Sequence, residues 1–289
     1  MRRLSSILFL ALISSAPQDA PARAPKAKAS GANPWVQVKT PAQGRTESIG
    51  GYASGCLRGA ERMEDTGPGF QLMRLSRNRV FGHPRLLEFI RTLGRKSSAQ
   101  GLGTLLVGDL GQPRGGPTLS LHASHQNGLD ADLWLDLITD GSILSPQERE
   151  SRDASTMVVP DFERLSASWN PAVIELLRLT ASENEVERIF INPVIKKALC
   201  GKYKGEGWLA KVRPWWGHAD HLHARLRCDA RDPLCAPQEA VPAGDGCGAE
   251  LADWFTPETK AKARELRAHP KPSTMPVLPA ECREVILAP

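Results

Sequence analysis

The 289-residue sequence lacks the short motifs that identify several common hydrolase classes. It contains no His-Glu-x-x-His, which excludes the zincin arrangement of two zinc-binding histidines on one helix. It contains neither Gly-x-Ser-x-Gly nor Ser-x-x-Lys, and these absences argue against an α/β-hydrolase and against a penicillin-binding serine enzyme. Its cysteines include no Cys-x2-Cys or Cys-x4-Cys pair, so a zinc–thiolate site is not expected.

The chain also has little net charge and no long apolar run. Its formal charge of +5 falls to +3 if residues 1–24, which carry three arginines and one aspartate, are removed. Because this excess is small and no run of Lys and Arg alternates with aromatic residues, nucleic acid is not an expected partner. No segment is apolar over the ~20 residues that a spanning helix needs, so we expect no stable membrane insertion.

The N-terminus has the three-part layout of a secretion signal. Arg2 and Arg3 form a basic start, residues 4–13 are apolar, and small residues follow. This pattern predicts a signal peptide over residues 1–24, with cleavage between positions 16 and 24. Composition divides the rest of the chain into a flexible lead-in, a main domain and a Pro-rich tail, over residues 25–45, 46–256 and 257–289 respectively.

Six cysteines fit an exported chain: Cys56, Cys200, Cys228, Cys235, Cys247 and Cys282. An even count in such a chain predicts three disulfides. Cys228 and Cys235 enclose a short loop that contains Asp232 and Pro233, so we expect these two to pair. Spacing leaves the other pairings open, although Cys282 is expected to tie the C-terminal tail back.

Hydrophobic periodicity predicts helices and strands without a regular alternation of the two. Apolar residues at helical spacing cover 84–93, and Asn170-Pro171 has the form of an N-cap followed by proline at the first helical position. A short helix is expected over 193–199, and strands are expected over 102–110, 129–137, 186–191 and 221–227. We therefore expect an α+β fold with a central antiparallel sheet, flanking helices and long loops.

Two segments hold five of the seven histidines. In the second segment, His221 and His223 alternate with apolar residues, so both face one side of a strand. In the first, Asp132 lies on the polar face of a strand whose other face is apolar. If the two strands are neighbours, two imidazoles and a carboxylate converge. His125, just before a glycine turn, can close this set, and a catalytic zinc site takes three of its ligands from protein and the fourth from water.

Four longer segments resemble the penicillin-insensitive murein endopeptidase family of the LAS group of metallopeptidases. They are SLHASHQNGLDADLWL, IFINPVIKKALC, KVRPWWGHADHLHARLRC and GDGCGAELADWF, and the resemblance extends from about residue 48 to residue 255. It implies an LAS-type metallopeptidase fold and a periplasmic zinc endopeptidase. The implied partner and substrate is peptidoglycan, cleaved at D-alanyl–meso-diaminopimelyl cross-links. The oligomeric state, a homodimer included, stays open.

The resemblance also implies a role for each matching residue. His125, Asp132 and His223 match the zinc ligands of the family. His221 matches a residue that is not a ligand and serves as the catalytic base. His218 matches a further active-site histidine, which either orients the base or stabilises the oxyanion.

A second metal position of the family would correspond to His122 and Asp153. Thr156 stands where a further histidine is expected, so one zinc is predicted and a second is in doubt. The disulfide pattern of the family implies three pairs, one of which agrees with the pairing expected from spacing: Cys56–Cys282, Cys200–Cys247 and Cys228–Cys235.

Two other functions stay open from the sequence. A carboxypeptidase of the same fold differs from an endopeptidase in the loops that close one end of the groove. A non-catalytic zinc module that binds the cell wall has no need of a base, so His221 argues against it. Arg114, in a glycine-rich segment, is a candidate anchor for a substrate carboxylate, with a solvated loop cation as the plainer interpretation.

Overall fold

Short strands and helices follow one another in a computed structural model that describes residues 33–118, 123–159, 164–269 and 274–289. The strands of these residues are β1 (Glu47–Gly51), β2 (Ser54–Arg58), β3 (Glu61–Arg62), β4 (Thr66–Gly67), β5 (Phe70–Leu72), β6 (Phe81–Gly82), β7 (Thr104–Val107), β8 (Asp130–Ile138), β9 (Val186–Ile191), β10 (Val212–Pro214) and β11 (His221–Leu226). The helices are α1 (Pro34–Gln37), α2 (Pro84–Ala99), α3 (Pro146–Ser151), α4 (Pro171–Ser182), α5 (Pro193–Tyr203), α6 (Ala249–Ala252), α7 (Pro257–Ala268) and α8 (Glu281–Leu287). The predicted signal peptide and His122 lie outside the described residues.

Proline at the first helical position begins six of these helices, where its missing N–H leaves no intrahelical bond unmade. At α4 the preceding Asn170 caps the helix, because its side-chain oxygen accepts from the backbone N–H groups of Ala172 and Val173 at 2.9 and 3.4 Å. The predicted helix start at this position is confirmed. The helices expected over 84–93 and 193–199 are also present, and both continue further as α2 and α5.

A seven-stranded sheet forms the centre of the fold, in the order β10-β9-β11-β8-β7-β5-β4. Its inner pairings, β9 with β11, β11 with β8 and β8 with β7, are antiparallel. The pairs β10–β9 and β5–β7 are parallel, so the sheet is mixed. Parallel neighbours need a long crossover, which α5 and α2 supply in these two cases. The α+β class predicted from the sequence is confirmed.

The two faces of the sheet differ in chemistry. Leu133 of β8 and Leu222 of β11 are fully buried, and they pack in the main hydrophobic core together with side chains of α2 and α4. Alternate residues of the same strands point to the opposite face. That face carries Asp132 and His223, and so the strands that build the core also position the polar cluster described below.

Three disulfides stabilise the fold: Cys56–Cys282, Cys200–Cys247 and Cys228–Cys235. These are the pairs that the resemblance implies. The first joins β2 to α8 across a sequence separation of 226 residues.

The chain after residue 256 contains α7 and α8, two helices that were not predicted from the sequence. Within the described residues, no helix has the length and apolar character needed to cross a membrane.

Arg114 is buried beside the C-terminus. Its guanidinium donates to the backbone carbonyls of Val285, Ile286 and Ala288 at 3.0, 3.1 and 2.6 Å. These carbonyls lie at the end of α8, where intrahelical donors are lacking. Arg114 therefore holds α8 in place, and it is neither a solvated loop cation nor a substrate anchor.

Replacing Cys56 and Cys282 together by alanine should lower the free energy of unfolding by about 2–5 kcal/mol, because the lost cross-link closes a very long loop and holds α8. Urea unfolding followed by circular dichroism measures this change. The control is the double alanine variant of Cys228 and Cys235, whose sequence separation of 7 predicts a smaller loss. Equal stability of the wild type and the Cys56/Cys282 variant would contradict the prediction.

Candidate active site

Antiparallel register brings the polar faces of β8 and β11 together. His223 lies directly opposite Asp132, and His221 lies opposite Trp134. Directly opposed residues on neighbouring antiparallel strands have Cβ atoms ~4.5–5.5 Å apart, so their side chains come into contact. The condition on which the sequence-based prediction depended, that the two strands are neighbours, is met.

His125, Asp132 and His223 form a buried cluster in which one ligand atom of each lies within 4.8 Å of the others. The Oδ1 atom of Asp132 is 3.3 Å from Nε2 of His125 and 3.1 Å from Nδ1 of His223. Bonds of ~2.0–2.1 Å at tetrahedral angles around zinc separate ligand atoms by about 3.3 Å. The donor types and their spacing therefore fit a tetrahedral zinc ion with its fourth position open.

Asp130 orients both imidazoles of this cluster. Nε2 of His223 is 3.2 Å from its Oδ1 atom, and Nδ1 of His125 is 3.3 Å from its backbone carbonyl oxygen. Carboxylate and carbonyl oxygens only accept, so the tautomer that suits a metal site has its protons on these two nitrogens. The opposite nitrogens, Nε2 of His125 and Nδ1 of His223, therefore present their lone pairs to the cluster, as metal ligands must.

Arg225 in turn fixes the carboxylate of Asp130. Its Nε and one terminal nitrogen donate to the two carboxylate oxygens at 2.7 and 3.1 Å. The guanidinium lies over the rings of Tyr52 and Phe190, 4.1 and 4.9 Å from their centroids. Burial alone raises the pKa of Asp130, but Arg225 and His223 outweigh burial and hold this pKa far below its usual range. Asp130 is thus ionised although it is fully buried.

Neither Asp130 nor Arg225 stands out in the sequence as a site residue. A signal was present, because each lies two residues from a candidate ligand, Asp132 or His223, on the same strand, and alternate residues share a face. Alternation alone does not say which polar residues contact one another, and it predicts a solvated face equally well.

His125 reaches the cluster from a strained turn. Its φ of 67° lies in the left-handed region, which is uncommon for residues other than glycine. The backbone N–H of His125 donates to Oδ2 of Asp130 at 3.0 Å and so holds this conformation. Gly128 ends the turn with a φ of 77°, and a Cβ atom there would lie 2.3 Å from Leu57. The position therefore requires glycine.

Attraction between imidazoles and Asp132 dominates the electrostatics of the cluster. Burial lowers the pKa of His125, but the carboxylate of Asp132 outweighs it and the pKa is raised. Burial raises the pKa of Asp132, but His125 and His221 outweigh it and the pKa is well below its usual value. The negative charge of Asp132, which raises the pKa of His125, would equally attract a divalent cation.

His221 lies beside the cluster, with its Nε2 atom 3.8 Å from Oδ1 of Asp132. Its Nδ1 is 2.6 Å from Oδ1 of Asp220, which can only accept, so Nδ1 carries the proton. Nε2 therefore presents a lone pair on the side of the cluster. Burial lowers the pKa of His221, yet Asp132 and Asp220 outweigh burial and raise it.

Asp220 is a third residue of the candidate site that does not stand out in the sequence, after Asp130 and Arg225. Adjacent residues of a strand face opposite sides, so strand alternation does not predict a contact between Asp220 and His221. The strand β11 begins only at His221, and Asp220 belongs to the bend before it. The bend allows the carboxylate to turn back onto the imidazole.

His218 packs against the same group. Its ring centroid lies 4.9 Å from that of His221 and 5.8 Å from that of His223. Its Nδ1 atom is 3.3 Å from the backbone carbonyl oxygen of Trp216, so Nδ1 carries the proton. Burial, reinforced by His221 and His223, lowers the pKa of His218 to about 3, which makes its ring neutral at neutral pH.

A cavity of about 340 Å³ opens beside His221, lined by Arg74, Arg77, Gly108, Asp109, Asp132, Trp134, Asp153, Ala154, Asp220 and His221. Asp153 lies on its rim with a side chain that is 95% exposed and 2.9 Å from the guanidinium of Arg74. The hydroxyl of Thr156 donates to the carbonyl of Val158 at 2.8 Å. Among the described residues, Asp153 is therefore not a member of the cluster of His125, Asp132 and His223. His122 lies outside the described residues.

Residues 48–287 match the family described as penicillin-insensitive murein endopeptidase. The chain belongs to this family. A relative of that name from Yersinia enterocolitica is 43% identical over 88% of this chain and 90% of its own length. Relatives of the same name from Klebsiella pneumoniae and Salmonella heidelberg are each 41% identical over 88% of this chain and 91% of their own length.

Membership of the family confirms the resemblance found in the sequence and extends its range. The matched residues continue to position 287, whereas the motifs end at residue 255. The match therefore includes α7, α8 and Cys282, so the helix that Arg114 and a disulfide hold belongs to the family domain.

Replacing Asp130 by asparagine should weaken binding of a divalent metal by roughly 10–100-fold, because an amide holds the imidazole of His223 less strongly in its ligating orientation. Competition with a chromogenic chelator measures the affinity for zinc. The matched control is Asp232→Asn, a buried aspartate that lies 3.2 Å from His83. Equal zinc affinity of Asp130→Asn and wild type, with both folded, would contradict the orienting role.

Proposed function

We propose that this chain is a zinc-dependent endopeptidase of the periplasm that hydrolyses the D-alanyl–meso-diaminopimelyl cross-links of peptidoglycan. The proposal depends chiefly on one observation, the cluster of His125, Asp132 and His223 with His221 beside it. The relatives are named as murein endopeptidases, which supports peptidoglycan as the substrate. The predicted signal peptide and the three disulfides support export.

His125, Asp132 and His223 would hold one zinc ion, which when bound supplies polarisation of the scissile carbonyl and a lowered pKa for the attacking water. Asp130 and Arg225 keep the two imidazoles in the ligating orientation. The proposal includes no second metal, because Thr156 is bonded within its own loop.

His221 is the proposed general base. Its Nε2 atom takes a proton from the attacking water while the water oxygen bonds to the carbonyl carbon. The same proton then passes to the amine nitrogen as the carbon–nitrogen bond breaks, so no proton is gained or lost overall. Asp220 holds the imidazole through Nδ1 and stabilises its cationic form between the two transfers.

His218 is proposed to position His221 rather than to donate to the oxyanion. Its proton lies on Nδ1, which is directed at the carbonyl of Trp216, and its low pKa disfavours a second proton on Nε2. A neutral ring packed 4.9 Å from His221 restricts the orientation of the base without competing with it for a proton.

The absence of an acyl-enzyme accounts for insensitivity to penicillin. Water is the attacking group in this mechanism, and β-lactams act by acylating a nucleophilic side chain. All six cysteines are in disulfides, so the chain has no thiol to acylate either.

The cavity beside His221 suits a substrate that carries charges of both signs. Arg77 and Asp153 line the cavity, and the side chain of Arg77 is 49% exposed although it shares Asp109 with Arg79. A diaminopimelate residue presents carboxylate and amine groups that these side chains would pair with.

Incubation with a purified cross-linked muropeptide dimer tests the proposal directly. We expect monomers by chromatography, loss of cleavage with a chelator, and recovery on addition of zinc. Free D-alanine in place of monomers would indicate a carboxypeptidase of the same fold. An intact dimer in the presence of bound zinc would indicate a wall-binding module, and either result would overturn the proposal.

Alanine substitutions separate the ligands from the base. His223→Ala should lose both zinc and activity, whereas His221→Ala should retain zinc and lose about 10²–10⁴-fold in turnover. Zinc content is measured by elemental analysis and turnover with the muropeptide dimer. His269→Ala, at an exposed histidine after α7, is the control and should match the wild type. A zinc-loaded His223→Ala or a fully active His221→Ala would remove that residue from its assigned role.

A further inference from the structure

An aromatic surface lies on the side of the metal-ligand cluster that the charged cavity does not occupy. We define the aromatic patch as Phe190, Trp215, Trp216 and Trp254. Trp215 is 54% exposed, and it is the only exposed aromatic side chain in the described part of the chain. This exposed tryptophan is not isolated, because it belongs to a group of contacting aromatic rings beside the candidate active site.

The rings of the patch contact one another and reach the cluster. Trp254 lies 6.2 Å from Trp215 and 5.9 Å from Trp216, measured between ring centroids. Phe190 lies 5.8 Å from Trp215 and 5.4 Å from the imidazole of His223. Two ring-to-ring steps therefore lead from a proposed zinc ligand to the exposed indole.

Three separate parts of the chain hold the patch in place. Phe190 lies on β9, opposite His223 of β11. Trp215 follows β10, and its backbone N–H donates to the carbonyl of Ile191 at 2.8 Å. Trp254 lies in a 3₁₀ turn shortly after Cys247, which the disulfide to Cys200 attaches to α5. The surface is therefore formed before any ligand arrives.

We propose that the aromatic patch binds the sugar rings of the glycan strand to which the cross-linked peptides are attached. This inference rests on the proposed function, because it assumes a peptidoglycan substrate. A pyranose ring presents a face of C–H groups that stacks on an indole, and it carries no charge. The charged cavity on the other side of the cluster fits the peptide instead.

The length of a stem peptide is compatible with a peptide at the cluster and a sugar at the aromatic patch. Three or four extended peptide residues, the number between a sugar and the scissile bond, span ~10–14 Å. The steps of 5.4 and 5.8 Å from His223 through Phe190 to Trp215 cover a comparable length. An extended stem peptide in the cluster is therefore long enough to reach from His223 to the exposed indole.

The first test compares two substrates, a muropeptide dimer with its disaccharides and the same dimer freed of sugar by an amidase. For the wild type we expect KM to be roughly tenfold lower with the sugars, the size of one stacking contact. Trp215→Ala should abolish this difference and Trp215→Phe should keep part of it. The control Trp208→Ala, at an indole that contacts Arg178 instead, should keep the full difference.

The second test needs no catalysis. Peptide-free glycan strands are titrated against the zinc-loaded protein, and tryptophan fluorescence reports binding. We expect saturable binding by the wild type and at least tenfold weaker binding by Trp215→Ala. Glycan binding without cleavage of any dimer would overturn the proposed function and leave the glycan site standing. Cleavage with equal KM for both dimers, and no glycan binding, would overturn the glycan site alone.

Discussion

The buried ion pair of Asp130 and Arg225 is the interaction on which the polar face of the sheet depends. An isolated carboxylate in a protein interior is so costly that it would be protonated, and a protonated group would orient the histidines less strongly. Arg225 keeps the charge by donating to both oxygens. The carboxylate then has oxygens left for Nε2 of His223 and the backbone N–H of His125. One ion pair thus fixes two imidazoles that come from different parts of the chain.

The geometry of β8 and β11 makes this possible. Each strand contributes alternate apolar residues to the core and alternate polar residues to the site. The pairing register of β8 and β11 therefore sets both the packing of the core and the geometry of the site. A shift of one residue would expose Leu133 and Leu222 and bury Asp132 and His223 against the core helices. The free energy that maintains the core therefore also maintains the spacing of Asp132 and His223.

The two sides of the cluster differ in chemistry. One side is charged and the other is aromatic, which suits a substrate that contains both peptide and sugar. A cavity with Arg77 and Asp153 opens on one side, and aromatic rings that end at Trp215 lie on the other. The second surface needs the disulfide of Cys247, which brings the segment of Trp254 beside the sheet. Charge and stacking would then recognise the peptide and the sugar separately, with the reacting bond between them.

The sequence by itself determined the α+β class, the family and the strand alternation that places Asp132 and His223 on one face, because these follow from local periodicity and contiguous motifs. Only the tertiary structure decided the contact of Asp220 with His221, which depends on where β11 begins. It also decided the parallel pairing of β10 with β9 and of β5 with β7, and the burial of Arg114 against α8. These features arise from contacts between residues far apart in the chain, and no local pattern encodes which distant groups will meet.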